Sequence, residues 1–339
     1  MKFDVVVGNP PYQESKEGGK DTPIYPFFYD LAEKISSEYC LISPARFLFG
    51  AGATNKKWNE KMLTSKHIKS VYFNHKSSDV FPNTDIKGGV AVLYYNKFKD
   101  SGPIGIFTTS LELTSILKKV KKDGFKSLSP LIYGVTSYTL SSQAYKDFPQ
   151  IATRVGKGSG NQLTSGIFDA APEIFKTGRL DGKAIQVYGR QNNERMYKWC
   201  LLKYVNLPEN FDRYKVFVPA ASGTGVFGEA LSNPIVGYPN IGHTATFISI
   251  GSFSTESQAE NLLKYLKSKF FRAMLSIKKT TQHNKTREVF STVPIQNFNE
   301  NSDIDWTKSV SEIDNQLYRK YNLAENEILY VENNIKTIE

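Results

Sequence analysis

The sequence predicts an α/β chain: a partial, doubly wound parallel-sheet domain, then a mixed α+β domain, then a C-terminal helical hairpin. Three observations predict it. Short apolar runs at 3–7, 39–43, 68–74 and 90–95 alternate with helical patterns up to about residue 98. Beyond 126 the chain is richer in Ser, Gly, Thr and Tyr, with short strands in place of that alternation. Residues 301–339 carry two helical stripes. The expected divisions are 1–99, a lysine-rich connecting segment at 100–125, 126–300 and 301–339.

The first run, Phe3 to Val7, reads as a buried parallel strand that stops at Gly8. Asn9-Pro10-Pro11-Tyr12 follows it. Ligands of open α/β sheets sit at the carboxyl ends of strands, so chemistry is expected here. The two prolines fix φ and hold the residue before each of them extended. They carry no N–H, and their carbonyls are left as acceptors. Asn9 adds one acceptor and a two-proton donor. Asn9 Oδ1 and the Pro10 carbonyl can therefore both accept from a planar exocyclic NH2, drawing that nitrogen toward sp3 character and freeing its lone pair. Tyr12 offers a flat face on which a base can stack.

Proceeding along the chain, 13–21 is polar and Gly-containing, either a loop that closes over substrate or an ordinary solvated one. Residues 24–36 read as a helix with Phe27, Phe28, Leu31, Ala32 and Ile35 on its apolar face. The strand at 39–43 ends in Pro44-Ala45-Arg46-Phe47, repeating the pattern of strand then special loop. A helix at 59–65 and a strand at 68–74 follow. Val80-Phe81-Pro82-Asn83 and then Gly88-Gly89 lead into the strongly β-prone run at 90–95.

Composition narrows the partners. A net charge of +10 and a pI near 9.2 favour a polyanion, with nucleic acid first. The hydrophobic content of 40% excludes wholesale disorder. The two cysteines, Cys40 and Cys200, and the four scattered histidines have no metal-ligand spacing, so no metal is expected. Few cysteines, no signal peptide and no apolar run of membrane-spanning length lead to an expected cytoplasmic location.

The Phe-Asp-Val-Val-Val-Gly strand with Asn-Pro-Pro-Tyr directly after it resembles motif IV of the S-adenosylmethionine-dependent amino-group methyltransferases. Within them it is most similar to the Eco57I-like adenine-N6 DNA methyltransferases of restriction–modification systems. That resemblance implies a Rossmann-like catalytic domain, S-adenosylmethionine as cofactor, double-stranded DNA as partner and an adenine flipped out of the duplex. It makes Asn9, Pro10 and Tyr12 the catalytic residues, with Tyr12 and Phe81 stacking on the target base. Such enzymes carry a Gly-rich cofactor loop ahead of the Asn-Pro-Pro-Tyr strand. None precedes it in this sequence, so the expectation is a catalytic half, with the cofactor half absent or carried by a second polypeptide.

The competing cofactor loop is 216–225, a strand followed by Pro-Ala-Ala-Ser-Gly-Thr-Gly. Only 226–231 is free to be helical before Asn, Pro and Gly break the chain, and no acidic residue lies between Glu229 and Glu256. A loop within a DNA-binding domain is the preferred reading, and the cofactor-binding residues are unassigned. Candidate DNA contacts are Arg190 and Gln191 of the Gly-Arg-Gln-Asn-Asn stretch, which otherwise reads as a polar turn. Others are Lys264, Lys267, Arg272, Lys278 and Lys279, on or just after a long amphipathic helix expected at 256–277 behind a Thr-x-x-Gln capping box. The region 126–300 resembles the family's target-recognition domain, and 301–339 its C-terminal hairpin. Two alternatives stay open: a DNA-binding specificity module or inactive subunit, and a protein-glutamine methyltransferase, whose substrate amide is likewise planar.

Overall fold

The computed structural model describes residues 3–14, 21–50, 53–122, 124–155, 158–223, 227–229, 231–279, 282–284 and 286–336. The chain divides into two units, 1–114 and 115–339, at a point inside the expected connecting segment.

In the first unit β1 (Phe3–Gly8) lies parallel to β4 (Ser36–Pro44). The chain between them forms the short pair β2 (Gln13–Glu14) and β3 (Thr22–Pro23) and the helix α1 (Tyr25–Ile35). Next come α2 (Lys56–Thr64), β5 (Ile68–Asn74) and β6 (Val90–Asn96). The sheet order is β1-β4-β6-β5, and β6 runs antiparallel to both of its neighbours. The sheet is therefore mixed, whereas a parallel one was expected. The reason is the connection from β5 to β6: it contains no crossover helix, only a turn of 3-10 helix at Ser77–Asp79, so the strand must fold back on its predecessor.

Helix α1 is where sequence periodicity expects it, but it presents a different face to the sheet. Tyr25, Tyr29 and Ala32 are buried, while Phe27 and Leu31 remain 68% and 50% exposed. The spacing 25, 29, 32 is also a helical stripe. Tyr29 decides between the two stripes: its hydroxyl donates to the Leu41 carbonyl (3.2 Å) and pairs with Ser43 Oγ (3.0 Å), both on β4. Tyr29, Tyr39, Phe47 and Trp58 then form one aromatic cluster. Across the parallel pair Val6 meets Tyr39 on the core face, and Val7 meets Cys40 on the other.

Helix α3 (Leu111–Val120) spans the division between the units. The second unit contains β7 (Ile132–Tyr133), then the hairpin of β8 (Ala184–Gln191) and β9 (Glu194–Leu201). Next are β10 (Tyr214–Pro219), β11 (Ile235–Gly237), β12 (Ile241–His243) and β13 (Phe247–Phe253). They make one sheet ordered β9-β8-β12 and another ordered β11-β10-β13-β7. Strand β9 escapes the sequence reading because Glu194, Arg195 and Lys198 interrupt it and leave no continuous apolar run. Tyr188, Phe217 and Phe247 stack in a small core of their own.

The expected helix at 256–277 is two helices, α4 (Glu256–Lys267) and α5 (Lys269–Ser276). The Thr255/Gln258 capping box opens the first. Ser268 ends it and caps the second, its Oγ accepting from Phe271 N. Asp314 holds the break by accepting from Lys269 N and Phe270 N, both at 2.9 Å. Asp314 lies on α6 (Val310–Lys320), which is followed by α7 (Glu325–Asn334). This hairpin packs on α4 and α5 within the same unit. Among the described residues no helix is long and apolar enough to cross a membrane.

Candidate active site

The Asn-Pro-Pro-Tyr loop leaves the carboxyl end of β1. Pro10 is buried, Tyr12 is half-buried, and Asn9 and Pro11 are exposed. Ile24 N donates to the Tyr12 carbonyl (3.1 Å), which ties the loop to the start of α1. The β2–β3 ladder and Gln13 Nε2, donating to Asp21 Oδ2 (2.7 Å), close the base of the segment expected as a loop at 13–21. Residues 15–20 of that segment lie outside the described residues.

The loop separates two cavities. The smaller, about 200 Å³, is walled by Val6 to Pro10 and by α1 residues including Phe28, Leu31 and Ile35. It is apolar, and Asn9 and Pro10 stand on its rim. The larger, about 530 Å³, is shared by Tyr12, Tyr25, Arg46 and the 85–87 segment. The Tyr12 hydroxyl is shut off from solvent and, among the described residues, has no partner in strict hydrogen-bond geometry. Burial raises its pKa, and nearby Asn9 partly offsets the rise. Burial also raises the Tyr25 hydroxyl, against the pull of the Arg46 charge.

Asn9, Pro10 and Tyr12 are thus held together by one four-residue loop between β1 and β2. Phe81 is half-buried in the turn after Ser77–Asp79, and it does not line the Tyr12 cavity. Asp85, Ile86 and Lys87 of the same connection do. Arg46 is the residue the sequence reading did not single out. Its signal was the strand-then-special-loop pattern at 44–47, repeated from 9–12.

In the second unit, Arg190 is exposed and donates to Asn193 Oδ1. Gln191 is half-buried and donates to Asp169 Oδ1. Asn192 and Asn193 have φ of 49° and 68°, the signature of a two-residue hairpin turn of type I′. The Gly-Arg-Gln-Asn-Asn stretch is therefore the tip of the β8–β9 hairpin. Lys264 is half-buried and donates to the Trp306 carbonyl (2.6 Å). Lys267 is half-exposed, and the half-buried Lys278 has its pKa lowered chiefly by burial.

Two of the expected DNA contacts are corrected. Arg272 is 1% exposed; its guanidinium donates to the carbonyls of Ser268 and Lys336. Lys279 is also buried, donating to the Ser222 carbonyl at 2.8 Å. Both charges are used inside the unit to satisfy backbone acceptors left at helix and loop ends. The sequence placed Arg272 on a helix and Lys279 just after it, but did not reveal that other segments cover both. The strand of the competing cofactor loop is β10, antiparallel between β11 and β13 rather than parallel in a βαβ unit. Thr224 and Gly225 of that loop lie outside the described residues.

Comparison with known proteins bears on the segment around the motif. Residues 1–81 match the family described as Eco57I restriction-modification methylase. This segment is Eco57I-like. An uncharacterized adenine-specific methylase of Mycoplasma pneumoniae is 36% identical over 95 residues, which cover 26% of this chain and 22% of the relative. The match thus spans about a quarter of either protein. Among solved structures, the type IIL restriction-modification enzyme MmeI in complex with DNA aligns with 98% of this chain and 56% of its own, at 12% identity and a TM-score of 0.47. The type IIG restriction endonuclease BpuSI aligns with 94% and 50%, at 10% identity and a TM-score of 0.32. The Eco57I-like segment contains β1, the motif loop, α1, β4, Arg46 and Phe81; Gly88-Gly89 and the second unit lie beyond it.

Proposed function

We propose that the chain is the catalytic and recognition part of an adenine-N6 DNA methyltransferase of a restriction–modification system, with S-adenosylmethionine as methyl donor. The observation that carries this reading is the Asn-Pro-Pro-Tyr loop at the carboxyl end of β1, within the segment that matches the methylase family. Asn9 Oδ1 and the Pro10 carbonyl accept from the two protons of the adenine N6 amine, directing its lone pair away from the ring plane. Tyr12 stacks on the base, which leaves the duplex because pairing otherwise occupies the same amine. Phe81 is kept as the second stacking residue. Most of the rate gain comes from positioning, since the amine needs no strong base once it is held in line.

The described residues around Asn9 do not by themselves make a site for S-adenosylmethionine. The cavity on whose rim Asn9 stands has no charged side chain in its wall, whereas a carboxylate is the usual partner of ribose hydroxyls. What this unit does offer is an open strand edge. β1 pairs with β4 on one side, no described strand lies on the other, and Val7 is 72% exposed. A parallel strand added there would bring its own carboxyl end, and a cofactor loop, next to Asn9. Either a preceding segment or a second polypeptide fits this position. Arg190, Gln191, Lys264, Lys267 and Lys278 are kept as candidate DNA contacts on the second unit.

The test is transfer of labelled methyl from S-adenosylmethionine to duplex DNA, with nucleosides separated after digestion, using the chain alone and with the polypeptide encoded immediately upstream. Label in N6-methyladenine supports the reading. Label in a protein glutamine and none in DNA overturns it. The missing carboxylate favours a second reading, a specificity module, which predicts sequence-selective DNA binding and no transfer under either condition.

A further inference from the structure

The larger cavity holds a cation whose stem is locked and whose head has no carboxylate partner among the described residues. Arg46 follows β4 in the 3-10 turn Arg46–Phe49, and it is half-buried. Among the described residues it makes no ion pair. Its side chain is pinned by the Gly88-Gly89 turn. A Cβ on Gly88 would come within 2.5 Å of Arg46 Cγ, so the aliphatic stem lies directly on that glycine's backbone. Ala45 N donates to the Gly89 carbonyl (3.0 Å), which fixes the two loops to each other. Both glycines have positive φ, 87° and 77°, so this close approach is built into the backbone.

Arg46 and Tyr12 line the same cavity, of about 530 Å³, which is in the size range of a small-ligand site. Lys87 adds a second cation, and Asp21 and Asp85 are the acids. Asp21 is bonded to Gln13, and Asp85 is exposed. Neither neutralises Arg46. A planar guanidinium fork that is pre-oriented, partly desolvated and unpaired is suited to an oxyanion that accepts two parallel N–H bonds.

Taking the motif loop as an adenine site, we propose that Arg46 anchors a backbone phosphate flanking the adenine that stacks on Tyr12. The aromatic face and the cation then hold two ends of one nucleotide, and the Gly88-Gly89 turn sets the distance between them. Arg46 binds substrate without touching the reacting amine.

The experiment titrates the full chain with adenosine, adenosine 5′-monophosphate and adenosine 3′-monophosphate, followed by ligand-observed NMR, for wild type, Arg46→Met and Arg46→Lys. Methionine keeps an unbranched stem over Gly88 and removes the fork. At least one monophosphate binds about tenfold tighter than adenosine to the wild type, as a charge-assisted pair requires. Arg46→Met brings that monophosphate to the adenosine level without changing adenosine binding, and Arg46→Lys falls between. Equal affinity for nucleoside and nucleotide in the wild type overturns the phosphate role while leaving the adenine site intact. Equal weakening of all three ligands by Arg46→Met, with a lowered melting temperature, also overturns it, because Arg46 would then be structural. If no adenine ligand binds the wild type, the adenine reading falls, and the proposal with it.

Discussion

Gly89→Ala tests the frame on which the larger cavity depends. An added Cβ would lie 2.1 Å from the Asn74 carbonyl oxygen and 2.6 Å from His75 Cα. Both are backbone atoms, so no side chain can rotate away. The native φ of 77° adds roughly 1 kcal/mol for a non-glycine residue. Relieving the overlap means moving the end of β5 off β6, where Asn74 pairs with Val90, and weakening the bond from Ala45 N to the Gly89 carbonyl. Two backbone hydrogen bonds at about 1 kcal/mol each bring the total to about 3 kcal/mol. Gly102→Ala is the internal control: its φ is 71°, but nothing lies within 4 Å of the added Cβ, so only the roughly 1 kcal/mol backbone cost applies. Hydrogen exchange read by mass spectrometry on the β6 amides (Val90–Asn96) separates the two. Gly89→Ala lowers protection there by roughly 100-fold and Gly102→Ala by no more than about 5-fold. Protection in Gly89→Ala equal to that in Gly102→Ala would show that the close approach does not exist.

Three other substitutions have defined outcomes. Asn9→Ala leaves the melting temperature unchanged, because Asn9 is exposed, but slows methyl transfer in the reconstituted system by roughly 10²–10³-fold, the scale for losing one oriented hydrogen-bonding group at a reacting centre; unchanged transfer removes Asn9 from the chemistry. Asp314 has its pKa raised to about 6, burial outweighing its two backbone N–H bonds and the nearby Arg272. Its protonated form therefore adds stability that is full below the ordinary carboxylate pKa near 4 and is lost as pH rises through 6, about 3 kcal/mol in all; urea denaturation of Asp314→Asn between pH 4 and 7 should lack that component, and a pH profile identical to the wild type contradicts it. Lys215 is fully buried and its Nζ donates to the carbonyls of Asn210, Phe211 and Arg213 at 2.8–3.0 Å. Lys215→Met strands all three acceptors and destabilises the second unit by roughly 3 kcal/mol, measured by chemical denaturation; a change under about 0.5 kcal/mol would mean that the loop re-pairs without it.

Legibility of the site tracks how local its determinants are. Asn9, Pro10 and Tyr12 lie within four consecutive residues, so the motif and the strand that presents it can be read directly from residue type. The motif strand, the stops at Gly8 and Pro44 and the Thr255 capping box are local in the same sense, and each is present in the structure. Arg46 is not local. Nothing next to it in the chain says that its stem will lie on Gly88 or that its head will share a cavity with Tyr12.

The sequence alone determined the residue types of the Asn-Pro-Pro-Tyr loop, the strand that carries them and the basic character of the chain, because these follow from adjacent residues and summed charge. Tertiary structure decided which of two helical stripes α1 buries, through the Tyr29 hydroxyl on β4. It also decided that the first sheet is mixed, and that Arg272 and Lys279 point inward. The mixed sheet follows from the short β5–β6 connection, and the other two share one physical reason. A 3.6-residue period gives the faces of a helix but not the element that will cover one, and a cation's partner is set by whichever carbonyls packing leaves unsatisfied. The open edge of β1 belongs to the same class: its residues read as a buried strand, and only the order β1-β4-β6-β5 shows that one side of it is uncovered among the described residues.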